Sequence, residues 1–251
     1  MDPVCIDLTL NVWRQMSSGD KGQFVTYQLE QVDTAMTFLE MLDFLNEDLA
    51  KRGVEPIAYQ HNCRQGICGS CGAVVNGQVH GPRAGRSLCQ LLVAEFKNND
   101  VITLEPFRAR AFSVVKDLVV DRSSLTRIVA STGYQPPLKK SGKIVASGNT
   151  DGDDEVFSRH DLCTSCGACV AACPNAGIAL FASSQLDYAA SFGMPSPDKT
   201  DMVVRMVQTA DREGFGGCSN NYECEAACPK DISSSAITEL NRQVRKKGFK
   251  I

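Results

Sequence analysis

The sequence predicts an α+β protein with two domains, a small mixed sheet carrying one packed helix and then a helical domain. The chain has 251 residues, which exceeds the roughly 100–200 residues of a usual single domain. Apolar and polar residues alternate near the N-terminus, as they do in a half-buried strand. After about residue 110, apolar residues recur at helical spacing instead. We therefore expect two domains, 1–110 and 111–251.

The first domain is predicted to begin with a hairpin and a helix. Residues 6–12 (IDLTLNV) and 23–30 (QFVTYQLE) alternate in polarity, and the segment SSGDKG between them has the composition of a turn. Apolar residues at helical spacing then predict a helix that follows Asp33, its expected N-cap, and ends at Gly53. The two strands and the helix are the first elements of the predicted sheet domain.

Further strands complete the first domain, and helices follow. Residues 73–79 (AVVNGQV) contain an Asn-Gly hairpin turn, and residues 101–106 (VITLEP) predict a last strand. Three later segments have helical periodicity: 113–131, 201–214 and 234–248. Between the first two of them, residues 134–155 are rich in proline, glycine and charge, which predicts a surface loop.

The composition argues against several classes of function. The formal net charge is −3, and the basic cluster RQVRKKGFK is confined to the C-terminus, so we expect no nucleic-acid partner. No apolar run approaches the length of a membrane span. The sequence has no dinucleotide fingerprint, phosphate-binding loop or H-E-x-x-H motif, so we expect substrate chemistry on another chain. The N-terminus has no secretory signal pattern, which predicts reduced thiols in the cytoplasm.

The spacing of the 12 cysteines carries the functional prediction. The stretch HNCRQGICGSC has the Cys-x4-Cys-x2-Cys spacing of a plant-type [2Fe–2S] cluster, with a distant fourth cysteine. The predicted ligands are Cys63, Cys68, Cys71 and Cys89. Three glycines are expected to let backbone N–H groups turn toward the bound cofactor: Gly66, Gly69 and Gly72. Zinc, which favours paired Cys-x2-Cys knuckles, and disulfides are the alternatives.

Two further cysteine runs follow the bacterial ferredoxin spacing, and the second of them, CSNNYECEAACP, has Asn221 in place of one cysteine. In two-cluster ferredoxins the last cysteine of a run ligates the other cluster. This crossing predicts a [4Fe–4S] cluster held by Cys163, Cys166, Cys169 and Cys228. The thiolates that remain are Cys173, Cys218 and Cys224. Because asparagine offers no thiolate, we expect a [3Fe–4S] cluster there; the alternative is a [4Fe–4S] cluster with water or Asn221 on a labile iron.

The cysteine motifs together resemble those of the iron–sulfur subunit of succinate dehydrogenase and fumarate reductase, over essentially the whole chain. The matching stretches are HNCRQGICGSCG, CTSCGACVAACP and CSNNYECEAACPK. The resemblance implies a β-grasp plant-type ferredoxin domain followed by an all-α domain like bacterial ferredoxins. It also implies single-electron transfer between FAD in a flavoprotein subunit, which holds the dicarboxylate site, and the haem or quinone of a membrane anchor. Such complexes serve the respiratory chain and the tricarboxylic acid cycle.

Two positions differ from the family members that bind ubiquinone beside the [3Fe–4S] cluster. Ile178 stands where those members have tryptophan, and Ser219 stands where they have histidine. The sequence therefore resembles the branch whose anchor is a single dihaem cytochrome b, which implies haem b and menaquinone in the partner. We expect a peripheral position on the cytoplasmic face of the inner (plasma) membrane, bound through this anchor.

There are two alternative functions, and only the second belongs to a different, non-redox class. One is the iron–sulfur subunit of a thiol-driven fumarate reductase, a type that carries a further cysteine-rich domain not expected here. The other is a zinc-stabilised interaction module without redox activity. EPR spectra separate the last possibility from the others, because an oxidised [3Fe–4S] cluster is paramagnetic and zinc is silent.

Overall fold

The structure is a computed structural model, and it describes residues 4–134, 162–191 and 196–247. The predicted surface loop at 134–155 lies outside the described residues from position 135 onward. Two hydrophobic cores account for most of the buried side chains in the described ranges, one in the N-terminal sheet region and one in the helical region. This arrangement agrees with a sheet-containing first part and a helical second part.

A five-stranded mixed sheet forms the N-terminal part of the chain. Its strands are β1 (Cys5–Arg14), β2 (Gln23–Asp33), β3 (Val74–Val75), β4 (Gln78–Val79) and β5 (Asp100–Glu105). Their spatial order is β2-β1-β5-β3-β4; β1 and β5 run parallel, and the other neighbours are antiparallel. Asn76 and Gly77 both have positive φ angles, as a two-residue hairpin turn requires. The predicted hairpins and the last strand are confirmed.

Helix α1 (Phe38–Lys51) contributes its apolar side to the core of the sheet region, as predicted. The expected N-cap is wrong, because Thr37 caps the helix and forms a capping box with Glu40. The Thr37 backbone N–H donates to Glu40 Oε2 at 2.7 Å. Asp33 ends β2 instead, and its carboxylate accepts a hydrogen bond from the Ala35 N–H at 2.9 Å. Asp33 therefore stabilises the turn before the helix.

The segment 113–131 is not helical throughout, which corrects the prediction. It contains β6 (Val114–Lys116), β7 (Val119–Val120) and α2 (Ser123–Ser131). Valine-rich segments favour strands, and tertiary contacts hold the turn between β6 and β7. The buried Asp117 carboxylate accepts hydrogen bonds from Arg14 Nε at 3.1 Å and from the Ala58 N–H at 2.8 Å. This hairpin therefore connects the helical part to the sheet region.

The helical part contains five helices after α2 in the described residues. They are α3 (Ala168–Ala172), α4 (Ala179–Ser191), α5 (Ser196–Glu213), α6 (Glu223–Ala226) and α7 (Ala236–Lys246). The helices predicted over 201–214 and 234–248 correspond to α5 and α7 and are confirmed. In the ranges that the structure describes, no helix combines the length and apolar character needed to cross a membrane.

Candidate metal centres

Three members of the first predicted ligand set lie in the loop between α1 and β3, and the fourth, Cys89, lies in the short 3₁₀ helix Leu88–Gln90. Two of its sulfur atoms accept hydrogen bonds from backbone N–H groups. The Gly66 N–H donates to Cys89 Sγ at 3.2 Å. Three N–H groups lie within 3.3–3.4 Å of Cys63 Sγ, those of Gln65, Ile67 and Cys68. Such donors stabilise negative charge on sulfur, so the loop fits an anionic iron–sulfur cluster.

The three glycines of this loop serve two different purposes. Gly66 and Gly69 have φ angles of +71° and +70°, a conformation that side chains with a Cβ rarely adopt. A Cβ at Gly69 would also lie 2.4 Å from the backbone oxygen of Thr164. Gly72 is outside the positive-φ region, and a Cβ there would lie 2.6 Å from the Phe107 ring. Gly72 therefore supplies space for Phe107 and not the backbone freedom predicted for it.

We expect Gly69→Ala to destabilise the chain far more than Gly77→Ala. Both glycines have positive φ, so alanine costs about 1–2 kcal/mol at either position. A Cβ at Gly77 meets nothing within 4 Å, whereas one at Gly69 meets Thr164 O at 2.4 Å. The forced shift of this backbone adds about 1–3 kcal/mol to the loss in unfolding free energy. Thermal unfolding of the two variants measures the difference, and equal losses would contradict the close approach.

The ionisation of the first set differs between its exposed and buried members. Cys68 is exposed, and its Sγ lies 3.0 Å from Ser70 Oγ. Burial opposes ionisation of Cys68, but hydrogen bonds from Ser70 and the backbone lower the pKa of its thiol to about 6. Burial raises the pKa of the Cys71 thiol to about 12. Iron ligation requires thiolates, so metal binding at this loop would release the proton of Cys71.

The second predicted set lines one cavity in the helical part. The cysteines on its wall are Cys163, Cys166, Cys169 and Cys228. The first three come from the segment that leads into and through α3, and Cys228 comes from the turn after α6. Burial raises the pKa of Cys166 to about 11 and the pKa of Cys169 well above its usual value. The structure thus brings Cys228, the last cysteine of CSNNYECEAACP, beside the first three cysteines of CTSCGACVAACP.

The third predicted set lines a separate cavity, together with Asn221. Its cysteines are Cys173, Cys218 and Cys224. Asn221 and Cys218 are exposed, whereas Cys173 and Cys224 are half-buried. The twelfth cysteine, Cys5, lies in β1 opposite Asp33 and lines neither cavity. Among the described residues, no three Cys, His, Asp or Glu side chains converge closely enough to hold a single metal ion.

Sequence reasoning missed Arg122, which lies between the first two sets. Its Nη1 donates to Gly69 O and to Cys166 O, both at 2.7 Å. Its Nη2 donates to Ser70 O at 2.9 Å and to Gln60 Oε1 at 2.8 Å. No motif marks this arginine, because its partners are backbone oxygens and an amide from distant parts of the chain. Its position at the start of α2 gives no sequence signal of such contacts.

Two family models match most of the chain. The model described as "2Fe-2S iron-sulfur cluster binding domain" matches residues 9–127, and the "4Fe-4S dicluster domain" matches residues 159–232. The fumarate reductase iron-sulfur subunit of Wolinella succinogenes is 29% identical, over 94% of this chain and 97% of its own. The chain belongs to the family of fumarate reductase and succinate dehydrogenase iron–sulfur subunits.

A second curated relative and one solved structure are also similar to this chain. The succinate dehydrogenase iron-sulfur subunit of Bacillus subtilis is 26% identical, over 78% of this chain and 75% of its own. A chain of the solved Mycobacterium smegmatis Sdh1 complex in the apo form matches with a TM-score of 0.70 and 22% identity. That match covers 98% of this chain and 99% of that chain, and it supports the fold. The family predicted from the cysteine motifs is confirmed.

Proposed function

We propose that this iron–sulfur subunit passes single electrons between FAD in a flavoprotein subunit and the haem or quinone of a membrane anchor. The complex would oxidise succinate or reduce fumarate. The observation that carries the proposal is the separation of eleven cysteines into three groups: a loop with Cys89 beside it, and two cavities, with Cys228 crossing between motifs. Iron–sulfur clusters supply one-electron chemistry at potentials set by the surrounding protein. The chain itself supplies thiolates, N–H donors and exclusion of water.

The ligand sets follow from these positions. We assign a [2Fe–2S] cluster to Cys63, Cys68, Cys71 and Cys89. A [4Fe–4S] cluster is assigned to Cys163, Cys166, Cys169 and Cys228. A [3Fe–4S] cluster is assigned to Cys173, Cys218 and Cys224. The cavity geometry supports the last two assignments, because each cavity has one complete predicted set on its wall.

We also propose a fold type and residue bounds for each of the two domains. We assign a β-grasp plant-type ferredoxin fold to residues 1–110 and an α-helical fold like bacterial ferredoxins to residues 111–251. Most buried side chains follow this division, because Leu104 packs in the core of the sheet region and Leu125 packs in the core of the helical region. Two residues near the boundary cross it: Phe107 packs in the helical core, and Leu118 packs in the sheet core. The β6–β7 hairpin lies beyond the boundary, so the second domain is mainly and not entirely helical.

We expect Ser70→Ala to lower the reduction potential of the first cluster. The Ser70 hydroxyl lies 3.0 Å from Cys68 Sγ, and a hydrogen bond to a ligand sulfur favours the reduced, more negative cluster. A loss of about 0.5–1 kcal/mol corresponds to roughly 20–40 mV for one electron. A redox titration followed by EPR measures the shift. Ser131→Ala is the control, because the Ser131 hydroxyl donates to the Ile128 carbonyl. Identical potentials in the two variants would contradict the role of Ser70.

Succinate addition to the purified complex tests the proposed function. We expect succinate to bleach the EPR signal of the oxidised three-iron cluster and to generate the signal of the reduced [2Fe–2S] cluster. Glutarate, a dicarboxylate longer by one carbon, is the matched control and should leave both signals unchanged. If dithionite reduces the clusters and succinate reduces none, the proposed function is wrong. Bound zinc without an EPR signal would instead support the interaction-module alternative.

The anchor and the location form a finer part of the proposal. We infer a dihaem cytochrome b anchor with menaquinone, on the cytoplasmic face of the inner membrane. Ile178 is 7% exposed and packs in the core of the helical region, and Ser219 is exposed next to Cys218. Neither residue offers the ring that the ubiquinone-binding members place there. A purified complex without haem b bands in its reduced spectrum would contradict the inferred anchor.

A further inference from the structure

The first two ligand sets meet at a direct contact between their loops. Gly69 approaches Thr164 so closely that a Cβ at Gly69 would lie 2.4 Å from the Thr164 carbonyl oxygen. Arg122 spans this contact, because its Nη1 donates to Gly69 O and to Cys166 O, both at 2.7 Å. Its Nη2 donates to Ser70 O at 2.9 Å. One guanidinium thus joins a loop of the sheet region to a loop of the helical region.

The charge of Arg122 has no carboxylate partner in the part of the chain that the structure describes. All four of its hydrogen-bond acceptors are neutral oxygens. Burial lowers the pKa of Arg122, and three nearby cysteines counteract this effect when they are ionised: Cys166, Cys71 and Cys68. A half-buried cation is costly unless negative charge lies nearby. The cysteines of the first two sets would supply that negative charge once metal binding deprotonates them.

Arg127, five residues further along the chain, provides a contrast to Arg122. It lies on α2, whereas Arg122 is the residue just before this helix. The Arg127 Nε and Nη2 donate to the two carboxylate oxygens of Glu213, both at 2.7 Å. Its side chain is 53% exposed. Arg127 therefore has a carboxylate partner and solvent, whereas Arg122 has neutral oxygens and cysteine sulfurs around it. Among the described residues, a carboxylate therefore pairs with the charge of Arg127, and none pairs with the charge of Arg122.

We propose that Arg122 is a positioning residue for electron transfer between the first two cluster sites. It holds the Gly69–Ser70 segment against Cys166, and it places a fixed positive charge beside both ligand sets. This inference rests on the proposed function. A positive charge stabilises the reduced form of each neighbouring site, because reduction adds negative charge. The short contact between the loops keeps the distance for electron transfer small.

A redox titration of the full chain in its purified complex tests the proposal, with chemical mediators and EPR detection of the first cluster. R122Q removes the charge, and we expect reduction of this cluster to become about tenfold less favourable. For one electron this change equals 59 mV. R122K keeps the charge but not the planar fork, so its shift should be less than half of that in R122Q. R127Q, the matched control, should titrate like the unmodified chain.

Electron passage between the sites provides the second readout. After reduction from the flavin side, R122K should transfer electrons to the three-iron cluster at least threefold more slowly than R127Q does, because lysine does not span both loops. Potentials in R122Q equal to those in R127Q would overturn the proposal, as would equal shifts in R122K and R122Q. Failure of both Arg122 variants to hold clusters, with R127Q loaded, would show a role in assembly only. The titration uses no succinate, so its outcome is independent of the test of the proposed function.

Discussion

Cys228→Ala is expected to abolish the four-iron cluster and to leave the three-iron cluster in place, and Cys173→Ala is expected to do the reverse. The reason is that Cys228 lines the cavity of Cys163, whereas Cys173 lines the cavity of Cys218. Each variant removes a thiolate that iron requires, one of the four at the four-iron site or one of the three at the three-iron site. Mössbauer and EPR spectra of the purified complex distinguish the two cluster types.

Cys5→Ala is the control for this pair of variants. Cys5 lines neither cavity, so all cluster signals should persist when it is replaced. If Cys228→Ala removed the three-iron signal and spared the four-iron cluster, the crossed assignment would be wrong. The same conclusion would follow if Cys173→Ala removed the four-iron cluster alone. Either outcome would place each run of cysteines on its own cluster.

Asn221→Cys is expected to convert the three-iron cluster toward a four-iron cluster. Asn221 lines the cavity beside Cys218 and Cys224, at the position that restores the spacing of a complete run. A fourth thiolate would retain the fourth iron, so the EPR signal of the oxidised complex should fall by most of its intensity. We also expect the reduction potential of this cluster to fall. Quinone-linked turnover should then weaken more than the electron transfer from succinate to a dye.

Ser219→Cys is the matched control for the asparagine variant. It adds a thiol to the same loop at a position that does not restore the spacing. We expect its oxidised EPR signal to match that of the unmodified complex. An unchanged signal in Asn221→Cys, with the new thiol shown by mass spectrometry to be unmodified, would contradict the missing-ligand explanation.

The local patterns of the chain predicted much of the fold. Alternation identified β1 and β2, the Asn-Gly pair identified the second hairpin, and helical spacing identified α1, α5 and α7. These features depend on residues close in sequence. The β6–β7 hairpin was missed because its turn depends on Asp117, whose partners Arg14 and Ala58 lie far away along the chain. The helix cap was misplaced because Asp33 and Thr37 are both suitable cap residues.

The candidate site was predictable to the extent that it follows from cysteine spacing. The crossing of Cys228 to the second motif follows from the ferredoxin spacing, and the cavity geometry brings those cysteines together. The contacts of Arg122 were not predictable, because they join oxygens of two loops that meet only in the folded chain. The role of Gly72 was misjudged for a similar reason, since Phe107 comes from a distant segment.

Iron-edge anomalous diffraction from crystals of the purified complex tests the central assignment most directly. We predict three iron centres in this chain: the [2Fe–2S] cluster, the [4Fe–4S] cluster with Cys228 as a ligand, and last the [3Fe–4S] cluster with Cys173 as a ligand. The last centre should have no iron beside Asn221. A fourth iron beside Asn221, Cys228 bound to the last centre, or zinc in place of iron would contradict the assignment.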